Sequence, residues 1–288
     1  MGFPYTLLKW TLLAKRNGTK VAFVSIGAGP LTRPLSYKML NIALGKADYL
    51  SYRDNGSKQL VESRLTKIDG KVYPDIAHSL PCENLANDAE VKAHSGKIVG
   101  INPMPVYDSR YWFEHDDKKY KAYVYEMTEV CDQLIQKGYR VKLFGTQKSD
   151  VNVITDIMGL LDSGKFKISA EQLAEIETVM DQTVPELMQT ISSCDVIFAT
   201  RFHATVLPLK LNIPVLGICY YRKSSELLDE VGLGDYHVPI DNFTGNELIS
   251  KFTKLMQADS EARKSIAAVY SSYEDELDEQ YESLANIN

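Results

Sequence analysis

The sequence predicts an α/β fold in which two successive blocks each build a parallel sheet. Three observations carry that expectation. Short apolar runs alternate with segments of helical spacing along the chain. A polar, aperiodic stretch at residues 81–95 interrupts the pattern, which then restarts. The helical segments are also long enough to serve as crossovers between parallel strands.

Each element has its own signal. The opening MGFPYTLLKWTLLAKRNG reads as an amphipathic helix stopped at Asn17-Gly18. Its apolar part is short, is broken by Lys9 and lacks a small-residue cleavage pattern, so it makes a poor signal peptide. KVAFVSI (Lys20 to Ile26) reads as a buried strand closed by the turn Gly27-Ala28-Gly29-Pro30. Leu35, Met39, Leu40 and Ala43 keep helical spacing. DYLSYRDNGSKQLVE then gives a strand to Arg53, a turn at Asp54-Asn55-Gly56 and a helix from Ser57. A short strand around Val72 ends at Pro74-Asp75.

In the second block, GKIVGINP and YRVKLFGT are strands on either side of a long helix marked by Val124, Met127, Cys131, Leu134 and Ile135. Ser149-Asp150 reads as the cap of a helix through Leu161, and a further helix covers Val184 to Ser192. CDVIFATRFHATVLPLKLNIPVLGICYYRK supplies two strands, Val196 to Ala199 and Pro214 to Cys219, with a helix starting near His203 between them. A helix from Ser224 to Val231, a strand HVPI and a helix from Asn246 to Met256 follow. The last 28 residues are helix-prone, with Ile266, Val269, Tyr270, Tyr273 and Leu277 on one side. Both blocks therefore read as Rossmann-like.

Bulk composition narrows the function. The chain has 288 residues, 44% of them apolar, and a formal net charge of −6. No global basic field calls for nucleic acid, so any anion site must be local. Cys82, Cys131, Cys194 and Cys219 are too scattered for a zinc centre, and no metal is expected. No run approaches the roughly 20 apolar residues of a membrane span. A cytoplasmic protein is the expectation.

In open α/β sheets, ligands bind beyond the carboxyl ends of strands, where helices begin. DVIFAT-RFHA places Arg201 and His203 at such an end. The helix start offers backbone N–H groups to an anion. Arg201 adds a planar, permanently charged fork, and His203 can trade a proton near neutral pH. Arg222 and Lys223 follow the next strand at the same edge. A single histidine at a helix start is most often a cap or a solvated side chain. The Arg-x-His pairing, with cations after the next strand, is what singles His203 out. In the first block Arg53 and Asp54 also end a strand, where Asp54 serves at least as a cap for the following helix. The Gly27 and Gly29 turn matches a phosphate loop only loosely. His78, His94, His115 and His237 show no partner spacing.

The ordered set SIGAGPL, SYRDNGS, YPDIAHSL, GINP, CDVIFATRFHA and IPVLGICYYRK resembles the polysaccharide pyruvyl transferase family, from about residue 18 to about residue 240. The resemblance implies a GT-B-like fold: a Rossmann-like domain over 1–90, a second over 91–258, and a C-terminal helix, 259–288, crossing back to the first. It implies transfer of the pyruvyl group of phosphoenolpyruvate to a saccharide or lipid-linked saccharide, forming a ketal, with no cofactor. For such an acceptor, peripheral association with the inner face of the membrane is an option. Carried over by position, Arg201, Phe202 and His203 form the donor-site Arg-x-His segment, with Phe202 where relatives commonly have leucine. The resemblance implies that Arg53 and Lys223 bind substrate, the Gly27 and Gly29 turn is expected to join them, and the chemistry makes His203 the expected catalytic acid and Asp54 a candidate base. Relatives usually begin with a further strand and helix, so the first domain is expected to be partial. Two rival readings are a GT-B glycosyltransferase using a nucleotide sugar and an inactive relative that binds a glycan or protein.

Overall fold

The computed structural model describes residues 3–29, 33–63, 69–82, 97–112 and 114–287. The chain divides into two compact units, one made of residues 1–80 with 271–288 and the other of residues 81–270.

The first unit opens with α1 (Phe3–Arg16), whose last turn is basic at Lys15 and Arg16. Gly18 stops the chain at φ +72°, a conformation that suits glycine. β1 (Ala22–Ile26), α2 (Pro34–Leu44), β2 (Tyr49–Tyr52), α3 (Asn55–Glu62) and β3 (Lys71–Val72) follow. The three strands pair in parallel in the order β1-β2-β3. Leu44, Tyr52 and Val61 centre a small core, with Phe23, Ile26, Leu40 and Leu50 against it. Helix α3 begins at Asn55 rather than Ser57, because Asp54 is already its N-cap.

The second unit contains β4 (Ile98–Asn102), α4 (Asp117–Gln136), β5 (Arg140–Phe144), α5 (Asp150–Leu161), α6 (Ala170–Ala174), β6 (Glu177–Val179), α7 (Val184–Ser192), β7 (Val196–Ala199), α8 (Phe202–Lys210), β8 (Val215–Cys219), α9 (Arg222–Glu230), β9 (His237–Pro239) and α10 (Gly245–Gln257). Its six strands run in parallel in the order β6-β5-β4-β7-β8-β9. β4 and β7 are buried at every position, as expected for central strands covered on both faces. Cys131 and Cys194 are buried cysteines in no disulfide, and burial pushes Cys131 up to about 12. They pack as small apolar groups.

Helix α11 (Asp259–Ala285) joins the units: the chain up to Tyr270 belongs with the second and Ser271 onward with the first. The unit boundaries therefore differ from those expected. The first falls between Leu80 and Pro81, before the polar stretch, most of which lies outside the described residues. The C-terminal helix begins at Asp259 as expected, but its first part belongs with the second unit and only Ser271 onward with the first. Ala262, Ile266, Tyr270, Tyr273 and Leu277 form its buried stripe.

Within the first unit, α11 contributes a buried amide. Gln280 is fully buried, and its Nε2 donates to Ser25 Oγ at 2.9 Å and Ser51 Oγ at 2.7 Å. Ser51 Oγ in turn accepts from the Ser25 N–H at 2.8 Å, where β1 carries a register shift and Ser25 adopts φ +44°. A buried polar group stripped of its partner costs about 1–3 kcal/mol. Gln280→Leu is expected to destabilise the first unit by that amount, read as faster hydrogen exchange of the β1 and β2 amides. Glu279→Ala loses a solvent-exposed pair with Lys71 and a hydrogen bond from Tyr73 and should change that exchange far less. Equal effects of the two substitutions would contradict this.

Candidate active site

The strand order of the second unit reverses direction of growth between β4 and β7. Crossovers from β4 run outward through β5 to β6, and those from β7 run the other way through β8 to β9. That reversal is the topological switch point at which open α/β sheets form a crevice beyond the strand carboxyl ends. Arg201 and His203 follow β7 at that position, so the fold itself places them where a ligand would bind.

Arg201 is only 9% exposed and its guanidinium is engaged by a carboxylate. Nε donates to Asp150 Oδ1 and Oδ2 at 2.9 and 3.0 Å, and Nη2 donates to Asp150 Oδ1 and to Ser149 Oγ. Asp150 is fully buried and also accepts from the Thr146 and Gln147 N–H groups, both at 3.0 Å. The ring of Tyr111 lies against Arg201, with Cζ 5.7 Å from its centroid. Burial pulls the Arg201 pKa down, but the hydrogen bonds and charge of Asp150, helped by Tyr111, outweigh burial and hold it above the ordinary arginine value. The expected anion clamp thus has a prior structural duty. Arg201 is the N-cap residue of α8, its carbonyl accepts the Thr205 N–H at 3.1 Å, and its side chain fixes the helix start against α5.

His203 sits one residue into α8 with its imidazole exposed, beside the Phe202 ring at 5.6 Å. The N-cap residues of α8 and of α9, the helix after the neighbouring strand β8, are Arg201 and Tyr221, and neither side chain caps its own helix. By contrast, Asp116 and Thr244 cap α4 and α10. Two adjacent helix starts therefore direct their positive dipole ends past the sheet edge. α9 begins at Arg222, earlier than expected, which puts Arg222 and Lys223 in its first turn. Arg222 pairs with Glu226 at 2.8 Å along the helix, and Lys223 is half-buried.

Beneath this edge lies a buried polar network. Asn102 donates to the Phe144 carbonyl at 2.9 Å and accepts the Arg201 N–H at 3.4 Å. The Tyr123 hydroxyl pairs with Thr200 Oγ1 at 3.1 Å and accepts the Met104 N–H at 3.2 Å. These bonds tie the ends of β4, β5 and β7 to one another.

In the first unit, Gly27, Arg53 and Asp54 come together by themselves. The Arg53 guanidinium lies so close to Gly27 that a Cβ there would meet it at 2.4–2.6 Å, so the absence of a side chain makes room for the arginine. Arg53 Nη1 donates to Asp75 Oδ2 at 3.0 Å, and Asp75 also caps the 3₁₀ turn Ile76–Ser79. Asp54 accepts from Ser57 N–H and, at 2.8 Å, from Ser57 Oγ, which itself accepts the Ala28 N–H at 2.8 Å. Its carboxylate is thus spent on the cap, and nothing around it points to a base. A Cβ at Gly29 would meet nothing within 4 Å among the described residues. Among the described residues no cluster of three or more potential metal ligands occurs, and no helix is long and apolar enough to cross a membrane.

Sequence reasoning missed Asp150, Asp75 and Tyr111. Asp150 did carry a signal, as an acid in a helix first turn, but that signal reads as capping.

Known proteins match in two ways. By structure, the chain is similar to a UDP-forming α,α-trehalose-phosphate synthase from Burkholderia xenovorans (TM-score 0.59, 10% identity, 97% of this chain and 72% of that one). It is also similar to the UDP-GlcNAc 2-epimerase of Methanocaldococcus jannaschii (TM-score 0.59, 14% identity, 86% and 66%). At such identities the likeness shows the fold alone, a GT-B-like pair of α/β units. By sequence, the amylovoran biosynthesis protein AmsJ of Erwinia amylovora is 21% identical over 270 residues, covering 89% of this chain and 62% of AmsJ, so the chain spans less than two thirds of that relative's length. The family model of the polysaccharide pyruvyl transferases matches residues 1–221. That span carries Arg53, Asp54, Arg201 and His203 in order, and the chain belongs to the polysaccharide pyruvyl transferase family.

Proposed function

We propose that the protein transfers the pyruvyl group of phosphoenolpyruvate to a saccharide of a surface polysaccharide or its precursor, forming a ketal. The observation that supports this best is the pair of adjacent helix starts, α8 and α9, at the switch-point edge, furnished with His203, Arg222 and Lys223. Phosphoenolpyruvate carries a carboxylate and a phosphate, and two adjacent helix N-termini offer one seat for each. AmsJ, by its name a polysaccharide biosynthesis protein, agrees with such an acceptor.

In this reading His203 delivers a proton to the methylene carbon as general acid. The carbon bearing the phosphate becomes electrophilic, one acceptor hydroxyl adds to it, phosphate departs, and a second hydroxyl closes the ketal. Of the two hydroxyl protons released, one replaces the proton given by His203 and the other leaves with phosphate. The helix N-termini stabilise the departing dianion. Arg201 is a positioning residue here, since Asp150 already occupies its guanidinium and its backbone begins α8. Arg53, held by Asp75, is kept as a substrate-binding proposal on motif position alone, as are Gly27 and Gly29, and Asp54 as a base is not supported by its surroundings. Association with a membrane would follow only from a lipid-linked acceptor.

The test is transfer of label from pyruvyl-labelled phosphoenolpyruvate to polysaccharide acceptors, with stoichiometric phosphate release. Glycosyl transfer from a nucleotide sugar, with phosphoenolpyruvate untouched, would replace this reading with that of a glycosyltransferase.

A further inference from the structure

The same edge of the second unit carries an aromatic array that the donor chemistry does not use. Tyr111 and Trp112 come from the segment between β4 and α4, and Tyr220 and Tyr221 from the turn between β8 and α9. The rings form a continuous chain: Tyr111 to Trp112 at 5.6 Å, Trp112 to Tyr220 at 5.1 Å, and Tyr220 to Tyr221 at 4.2 Å between centroids. Its inner end rests on Arg201, 5.7 Å from the Tyr111 centroid, so the array begins at the residue that opens α8. Mutual packing accounts for the half-buried Trp112 and Tyr220. It does not account for Tyr221, 62% exposed, or Tyr111, 41% exposed. Aromatic faces left in water at the carboxyl edge of a parallel sheet are suited to a ligand.

The ring orientations narrow the occupant. Neighbouring rings are inclined at 52°, 81° and 76°, so no two form the parallel slot that would sandwich a flat nucleobase. They offer single faces and edges. A pyranose presents a face of C–H bonds with partial positive charge, which suits the negative face of an aromatic ring. Its rim of hydroxyls needs polar neighbours. The tyrosine hydroxyls supply these, with Gln147, to which the Tyr111 hydroxyl donates at 3.2 Å.

We propose that Tyr111, Trp112, Tyr220 and Tyr221 form the acceptor subsite, binding a hexopyranose of the polysaccharide through its C–H face. The word acceptor rests on the pyruvyl transfer reading; binding of the sugar does not. The chain has two tryptophans, Trp10 and Trp112. Trp10 is exposed on α1, so Trp10→Phe leaves Trp112 as the sole reporter in a folded protein. Methyl glycosides of glucose, galactose, mannose and N-acetylglucosamine, with uridine as the nucleoside control, would be titrated against Trp112 fluorescence. Phosphoenolpyruvate binding would be measured in parallel by calorimetry.

At least one glycoside is expected to change the emission saturably. Tyr221→Ala should weaken that response roughly tenfold, the size of one lost aromatic contact. Failure of every glycoside while phosphoenolpyruvate binds would overturn the subsite and leave the donor reading intact. A response to uridine alone, or a glycoside response indifferent to both Tyr221→Ala and Tyr111→Ala, would also overturn it. Glycoside binding that follows Tyr221 without phosphoenolpyruvate binding would support the sugar subsite and overturn the donor reading instead.

Discussion

Replacing Arg201 by alanine is expected to lower the stability of the second unit by about 3–5 kcal/mol, the usual cost of leaving one member of a buried ion pair alone. For a unit of this size the midpoint of thermal unfolding should fall by on the order of 10 °C. The reason lies in Asp150, which is fully buried and would keep its charge with only the Thr146 and Gln147 N–H groups as partners. Arg201→Ala combined with Asp150→Asn should recover more than half of the loss, because the amide oxygen can still accept those two N–H groups while the charge is gone. A single substitution within about 0.5 kcal/mol of the native protein would mean that the pair carries no stability and that Arg201 is available to a ligand after all. The expected result also changes how activity data are read. An inactive Arg201→Ala protein would report a misplaced α8, not a missing donor contact.

His203→Ala should behave in the opposite way. The imidazole is exposed and no hydrogen bond among the described residues depends on it, so stability should move by less than about 0.5 kcal/mol. Pyruvyl transfer should fall by roughly 10²–10⁴-fold, the usual contribution of a positioned general acid. Labelled transfer and thermal unfolding measured on one preparation separate the two effects. Turnover within a few-fold of native would remove His203 from the chemistry and leave it as a solvated side chain at a helix start. Comparing the two variants is informative because Arg201 and His203 are two residues apart on one turn, yet one is spent on the fold and the other is not.

The difference between those residues marks what the sequence could disclose. Local relationships were legible. The apolar run Val196 to Ala199 followed by a helical pattern placed Arg201 and His203 at a strand end. The Asp54 to Ser57 spacing gave a helix cap, and the period of Ile266, Tyr270, Tyr273 and Leu277 gave the buried stripe of α11. Relationships across the chain were not. Arg201 and Asp150 are 51 residues apart, and only the juxtaposition of β5 and β7 on either side of β4 brings them together. The same strand order creates the switch point, which no local pattern encodes. β6 escaped because three residues at a sheet edge, two of them exposed, present no apolar run. The aromatic array was unreadable for the same reason as the ion pair, since its halves lie on segments after β4 and after β8. Gln280 reads as one polar residue in a polar helix until Ser25 and Ser51 are seen beneath it.

The most direct test of the central claim needs no acceptor. Phosphoenolpyruvate and a UDP-sugar would each be titrated calorimetrically into the native protein and into His203→Gln. Phosphoenolpyruvate is expected to bind saturably, more weakly in the variant, with no comparable binding of the nucleotide sugar. Saturable binding of the nucleotide sugar with indifference to phosphoenolpyruvate would contradict it.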